Sequence, residues 1–199
     1  MLAADIRALL LAPWKHGDCV DLQGVTCEGQ LDLSDSQVTG FNLTGAQFPD
    51  GINARGAQFL GLAWLHDTQI DALADFSRSL FLIDAGFERA QFGCPAQFHD
   101  CELRGVGRFD NAVFQSGADF RNCIAYGNFS LQQAQVQGRT QFQNAEWLGG
   151  LWCERMALSE QTDFSDSQVH GRLWLRQARI GNAPLSDAQF PLSFGYTYS

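Results

Sequence analysis

The sequence predicts an all-β protein, a four-sided parallel β-helix with about 22 residues per coil and a short helix over its N-terminal end. Three observations predict it. Large apolar residues return every eleven positions in two files. One runs Phe48, Phe59, Ile70, Phe81, Phe92 and onward to Ile180, with only Ala125 small; the other runs Leu65, Phe76, Phe87, Phe98 and onward to Leu175. Within a repeat the apolar steps include twos, as in Ala46, Phe48, Ile52, Ala54, Ala57 and Phe59. Steps of two mark short strands, whereas the seam of an eleven-residue helical coiled coil would use threes and fours. Finally, Gly61, Gly105, Gly127, Gly149 and Gly171 share a register of 22, with only Ile83 breaking the file, while the register eleven away holds Asp50, Ala72, Cys94, Ser116, Gly138 and Glu160. One corner of the coil needs glycine and the opposite corner does not. That asymmetry selects four sides of 22 residues over two sides of eleven.

The elements follow in order. Residues 1–16 form the cap: Leu2 to Ala12 has a helical pattern ending before Pro13, and Leu2, Ile6, Leu9 and Leu10 cover the first coil. Residues 17–190 form the coils. Leu33, Val38, Leu43 and Phe48 are five apart, after which spacings of five and six alternate. Ala-Gln-Phe, repeated at 46–48, 57–59 and 90–92, places a small and a large inward residue around one outward one. The glycine corner is expected to need positive φ in a type II turn. Cys101 and Cys123 fall in a small-residue file and read as buried apolar groups. Residues 191–199 form a tail in which Phe194, Tyr196 and Tyr198 alternate as in a strand.

The unit is a small residue, any residue, Phe or Leu, then two turn residues. In this it resembles the pentapeptide-repeat family over residues 20–190. The resemblance implies a right-handed, quadrilateral β-helix. The chain departs from the plain pattern by one inserted residue in every second unit, a spacing that a variant of the family has.

Charge and composition exclude several functions. The net charge is −9, with 13 acids and 5 bases in residues 1–100 against 9 and 8 in residues 101–199. Direct nucleic-acid binding is not expected, since phosphate affinity comes from Lys and Arg. No apolar run reaches the roughly 18 residues of a membrane span. The N-terminal stretch lacks the basic start and cleavage site of a secretory signal, so a cytoplasmic location is the expectation. Neither the six Cys nor the four His have metal-ligand spacing, and no nucleotide or hydrolase motif occurs, so no catalytic residue, metal or cofactor is expected. Glu88 and Asp110, neighbours on successive coils, read as part of a solvated charged face.

Two outward files are less bland. Trp64, Trp152 and Trp174 share one register, and a corner file holds Leu60, Leu82, Tyr126 and Leu148 beside Arg104 and His170. Together with Tyr196 they are the candidate contacts of a non-enzymatic scaffold for an unidentified protein partner. The resemblance supplies an alternative: quinolone-resistance and self-immunity members mimic DNA in shape and charge and engage DNA gyrase. That reading expects Asp32, Asp50, Asp67, Asp71 and Asp84 to converge on one face. The aromatic tail, with Tyr196 placed in the register of Trp174, suggests a homodimer through the C-terminal coil involving Trp152, Trp174, Phe194, Tyr196 and Tyr198.

Overall fold

The computed structural model describes residues 1–199. Its strands are mostly two residues long and stack, almost all in parallel, into four sheets of nine, seven, eight and eight strands. The first face starts at Val20–Asp21, the second at Gln47–Phe48, the third at Leu31–Asp32 and the fourth at Gln37–Val38. A strand this short offers one inward and one outward residue: Gln58–Phe59 and Gln91–Phe92 expose the Gln and bury the Phe. Ala63, Ala85, Gly107, Phe129, Leu151 and Leu173 are successive partners on the first face, so the coil closes every 22 residues. The first coil is one residue shorter, pairing Val20 with Phe41 and Leu31 with Ile52, as its five-residue units require.

A single cluster of 54 buried residues fills the tube. Along the third face, Phe76, Phe98, Phe120, Phe142 and Phe164 stack with their ring planes nearly parallel, centroids 5.0 to 5.3 Å apart. That separation is close to the ~4.8 Å between strands, so the ladder brings the rings to stacking distance without distortion. Phe98 also meets Phe87 and Phe109 edge-on at 5.4 and 5.2 Å. Cys101 and Cys123 are buried as expected, and burial pushes the Cys101 thiol to about 12, against the opposing hydrogen bond of Ser79.

Two of the four corners are tight turns closed by a bond from residue i+3 to the carbonyl of residue i, as from Ala90 N–H to Phe87 O (3.1 Å). Their third residue is left-handed at every eleventh position, including Arg78, Arg89, Asp100, Asn111, Asn122 and Gln133. Positive φ therefore lies here and not at Gly61, Gly105, Gly127, Gly149 and Gly171, none of which adopts it. Those glycines have a different reason. A methyl built on Gly171 would lie 2.6 Å from both the carbonyl carbon and oxygen of Gly149, so backbone stacks on backbone at this glycine, whereas Ile83, the one other residue in the file, turns its side chain partly to solvent.

The ends are covered unequally. The helix Ala3–Leu10 buries only Ile6 and Leu10. Leu9 points to solvent, and Leu2 precedes the helix and pairs its backbone with Glu28, so neither covers the core as the sequence suggested. Ala3 and, just past the helix, Leu11 pack against the core as well, partly buried. At the other end Phe190 lies edge-on to Trp147 (6.2 Å) and beside Phe164 (4.7 Å), sealing the core together with Leu185. Residues 191–199 then add Leu192–Ser193 to the fourth face and Thr197–Tyr198 to the first, while the third face stops at Thr162–Asp163.

Candidate interaction surface

On the first face the outward file is Trp64, Gly86, Arg108, Ser130, Trp152, Trp174 and Tyr198. Trp64 is 37% exposed, while Trp152 and Trp174 pair on adjoining strands and are half-buried. Trp174 stacks on Tyr198 with centroids 4.3 Å apart. The sequence assigned that place to Tyr196. The last coil carries two extra residues, because a hairpin at Arg179–Pro184 and a short 3-10 turn at 187–189 interrupt it, so Leu173 pairs with Thr197. Tyr196 instead falls beside Arg172 and is 80% exposed.

The turns that follow these strands fold a second file over the face. His66 lies above Gly86, where a methyl would collide with its ring and come within 2.8 Å of Glu88 Oε2. Gly86 is thus the gap that lets His66 and Glu88 meet. His66 Nδ1 is 2.6 Å from Glu88 Oε2, an ion-pair distance but not aligned as a hydrogen bond, and Arg108 Nη1 is 3.9 Å from Oε1. Burial works to raise the Glu88 carboxyl, but His66, the backbone N–H and Arg108 outweigh it and hold the group below its ordinary range. Asp110 goes the other way. Burial lifts its carboxyl, with the charge of Glu88 adding to the effect, although Ser130 Oγ and the Gln132 N–H donate to it.

Because Gly86 and Ser130 are small, two adjoining depressions of about 380 and 310 Å³ open between Trp64 and Trp152. Their floor is Glu88, Arg108, Asp110, Asn128, Ser130 and Gln132. No sequence period announces this trough; only the small residues interrupting the tryptophan file could have signalled it. Beside it, at the corner between the fourth and first faces, Leu60, Leu82 and Leu148 are partly buried and Tyr126 is 49% exposed. His170 continues this stripe and stacks on Phe194 at 4.9 Å. The structure therefore gathers Leu60, Leu82, Tyr126, Leu148, Trp64 and Trp152 on one side of the rod. Trp174 is covered by Tyr198. A contact that the sequence did not reveal is Trp14, whose indole lies over the Gly61 corner and donates to Asp18 O (3.3 Å).

The acidic residues do not gather in this way. Asp32 is on the third face, Asp67 at the corner after the first, Asp50 and Asp71 at the corner after the second, and Asp84 at the corner after the fourth. The third face has its own order: Asp32, Asn53, Asp75, Gln97, Asp119, Gln141 and Asp163 alternate acid with amide along the stack. Asn53 donates to Asp32 (3.1 Å), and Asp75, Asp119 and Asp163 each accept from the N–H two residues on. Alternation separates like charges that would otherwise stack one strand apart.

Residues 87–135 and 98–146 match the family model described as pentapeptide repeats (9 copies). No curated protein matches the chain by sequence. Among solved structures, QnrB1, a plasmid-mediated fluoroquinolone resistance protein, aligns over 92% of each chain at 15% identity, with a TM-score of 0.38. HetL, a pentapeptide repeat protein involved in heterocyst differentiation regulation from the cyanobacterium Nostoc sp. strain PCC 7120, aligns over 94% of each chain at 17% identity, with a TM-score of 0.34. The matched residues sit in the middle of the rod, and the ladder carries their register unbroken from Ala63 to Leu173, so residues 87–146 are similar to pentapeptide repeats and the adjoining coils continue the same stack.

Proposed function

We propose that the protein is a non-enzymatic scaffold that binds another protein through its first face and the apolar corner beside it, in the cytoplasm and without a cofactor. One observation carries this reading. On the third face Asp32 accepts from Asn53, and Asp75, Asp119 and Asp163 accept from their own turns, whereas Trp64 and Tyr126 stand exposed on one side of the rod beside an open trough. Aromatic groups of this kind supply contact area at interfaces. The test uses Trp64→Ala with Tyr126→Ala. Both positions are exposed, so the fold persists, and native partners captured by the parent chain are lost from the variant. Equal capture refutes the assignment.

A homodimer through the C-terminal coil is the reading for self-association, supported by Leu192, Phe194, Tyr196 and Tyr198, all exposed at that end. Since Phe190 and Leu185 already seal the core, such a dimer would join side chains and not an open coil. Light scattering of the full chain against one truncated after Phe190 tests it: loss of the dimer on truncation supports the contact, and a monomer in both refutes it. The net charge of −9 favours a second reading, mimicry of DNA toward a topoisomerase. The spread of Asp32, Asp50, Asp67, Asp71 and Asp84 denies it a single acidic face, and a gyrase supercoiling assay with and without the protein tests it directly.

A further inference from the structure

We propose that the first face receives a basic amphipathic segment of the partner, lying along the rod with cationic side chains in the trough and apolar ones on the corner. This rests on the scaffold reading above and adds the chemistry of what is bound. The trough is walled by Trp64 and Trp152, four coils and so ~19 Å apart. Asp84, Glu88 and Asp110 line it against one arginine, Arg108. Arg108 shows that the place accepts a guanidinium, standing 3.9 Å from Glu88 Oε1 while its side chain stays 55% exposed.

The internal bonds of the other two carboxylates leave an oxygen free. Asp84 Oδ1 accepts from Val106 N–H (2.8 Å) and Asp110 Oδ1 from Gln132 N–H (3.1 Å) and Ser130, so both Oδ2 atoms can accept from a partner. Trp152 lines the same depression as Asp110. Parallel to this charged rail, at the next corner, run Leu82, Arg104, Tyr126 and Leu148, with the Arg104 guanidinium paired to Glu102 at 2.8 Å. A charged rail and an apolar rail along one axis fit a segment with two chemically distinct sides. An acidic segment would meet only Arg108 and set its own carboxylates against Asp84, Glu88 and Asp110. A helix of ~13 residues covers ~19 Å.

The experiment titrates the full chain with a synthetic Leu/Lys amphipathic helix of that length, a scrambled peptide of the same composition and a Leu/Glu counterpart, followed by fluorescence anisotropy. The Leu/Lys helix is expected to bind at least about tenfold more tightly than either control, weakening as salt rises. Asp110→Asn and Trp64→Ala each weaken it several-fold, while Asp75→Asn on the third face leaves it unchanged. Equal binding of the Leu/Glu peptide, no binding of the Leu/Lys helix, or indifference to both first-face variants overturns the proposal. A captured native partner whose hydrogen-exchange protection maps to the third face overturns it too while leaving the scaffold function standing. Loss of every protein partner would remove both.

Discussion

The glycine corner gives the most direct test of how the rod is held. In Gly149→Ala the new methyl would lie 2.5 Å from Gly127 O and 2.8 Å from Asn128 N, both backbone atoms that no rotamer can move aside. Relieving the clash lifts one coil from the next at this corner by roughly half an ångström or more, against a ~4.8 Å spacing. Overpacking of this kind costs about 1–3 kcal/mol. The adjacent ladder bond from Leu148 N–H to Ala125 O, 2.8 Å, is stretched with it, adding about 0.5–1.5 kcal/mol. The sum is about 2–4 kcal/mol, or a thermal midpoint lowered by roughly 4–16 °C for a chain of this size. The control is Ser116→Ala at the opposite corner, which already carries a Cβ and loses one exposed bond to Gly93 O (2.9 Å). It should stay within about 0.5 kcal/mol. Circular dichroism melts of parent and both variants decide the matter. If Gly149→Ala melts with the control, backbone stacking is not why glycine stands there.

Phe98→Ala removes a ring stacked on Phe76 and Phe120 at 5.1 and 5.0 Å and should cost about 3–5 kcal/mol, read from the denaturant midpoint. Gln133, left-handed at φ 58, carries a strain of about 1–2 kcal/mol that glycine relieves. Gln133→Gly should therefore melt above Gln133→Val, and the reverse order would contradict the turn assignment. Burial holds the Asp110 carboxyl above its ordinary value. A raised carboxyl supports the fold fully only below its unfolded value, and that support is lost as pH rises through the folded value. Asp110→Asn keeps an accepting oxygen, so it should raise the melting temperature near neutral pH and give no gain near pH ~3. A gain that persists in acid would refute the assignment.

What the sequence made legible is what the core dictates. The inward files are fixed by volume and appear as a period that any reader can count, and Phe98 and Phe120 are buried where that period puts them. The left-handed turn residues escaped notice because their file mixes Asp, Arg, Asn and Gln. Backbone closure by the ladder forces their φ, not residue type. The glycine corner was located but misread, since close approach and positive φ both select glycine and composition cannot separate them. Tyr196 was misplaced for a third reason: the hairpin and the 3-10 turn shift the last coil by two residues, and once the repeat ends no period reports the register.

The same backbone underlies all four faces, so any difference in function must come from outward side chains, and these obey different rules on different faces. On the third face Asp75 and Asp119 have an amide neighbour above and below, Asp32 and Asp163 have one, and all four accept from their own turns, which leaves little for a partner to satisfy. The first face is built with gaps. Gly86 and Ser130 interrupt a file of Trp64, Arg108 and Trp152, and the carboxylates that fill the gaps are drawn in by His66 and Ser130 without closing them. A stack optimised only for stability would repeat the self-satisfied pattern of the third face or fill the gaps with side chains that pack on their neighbours above and below. Trp64 and Trp152, one exposed and one half-buried, around an open, partly buried pair of carboxylates do neither. A partner that lies in the trough as proposed would use both features.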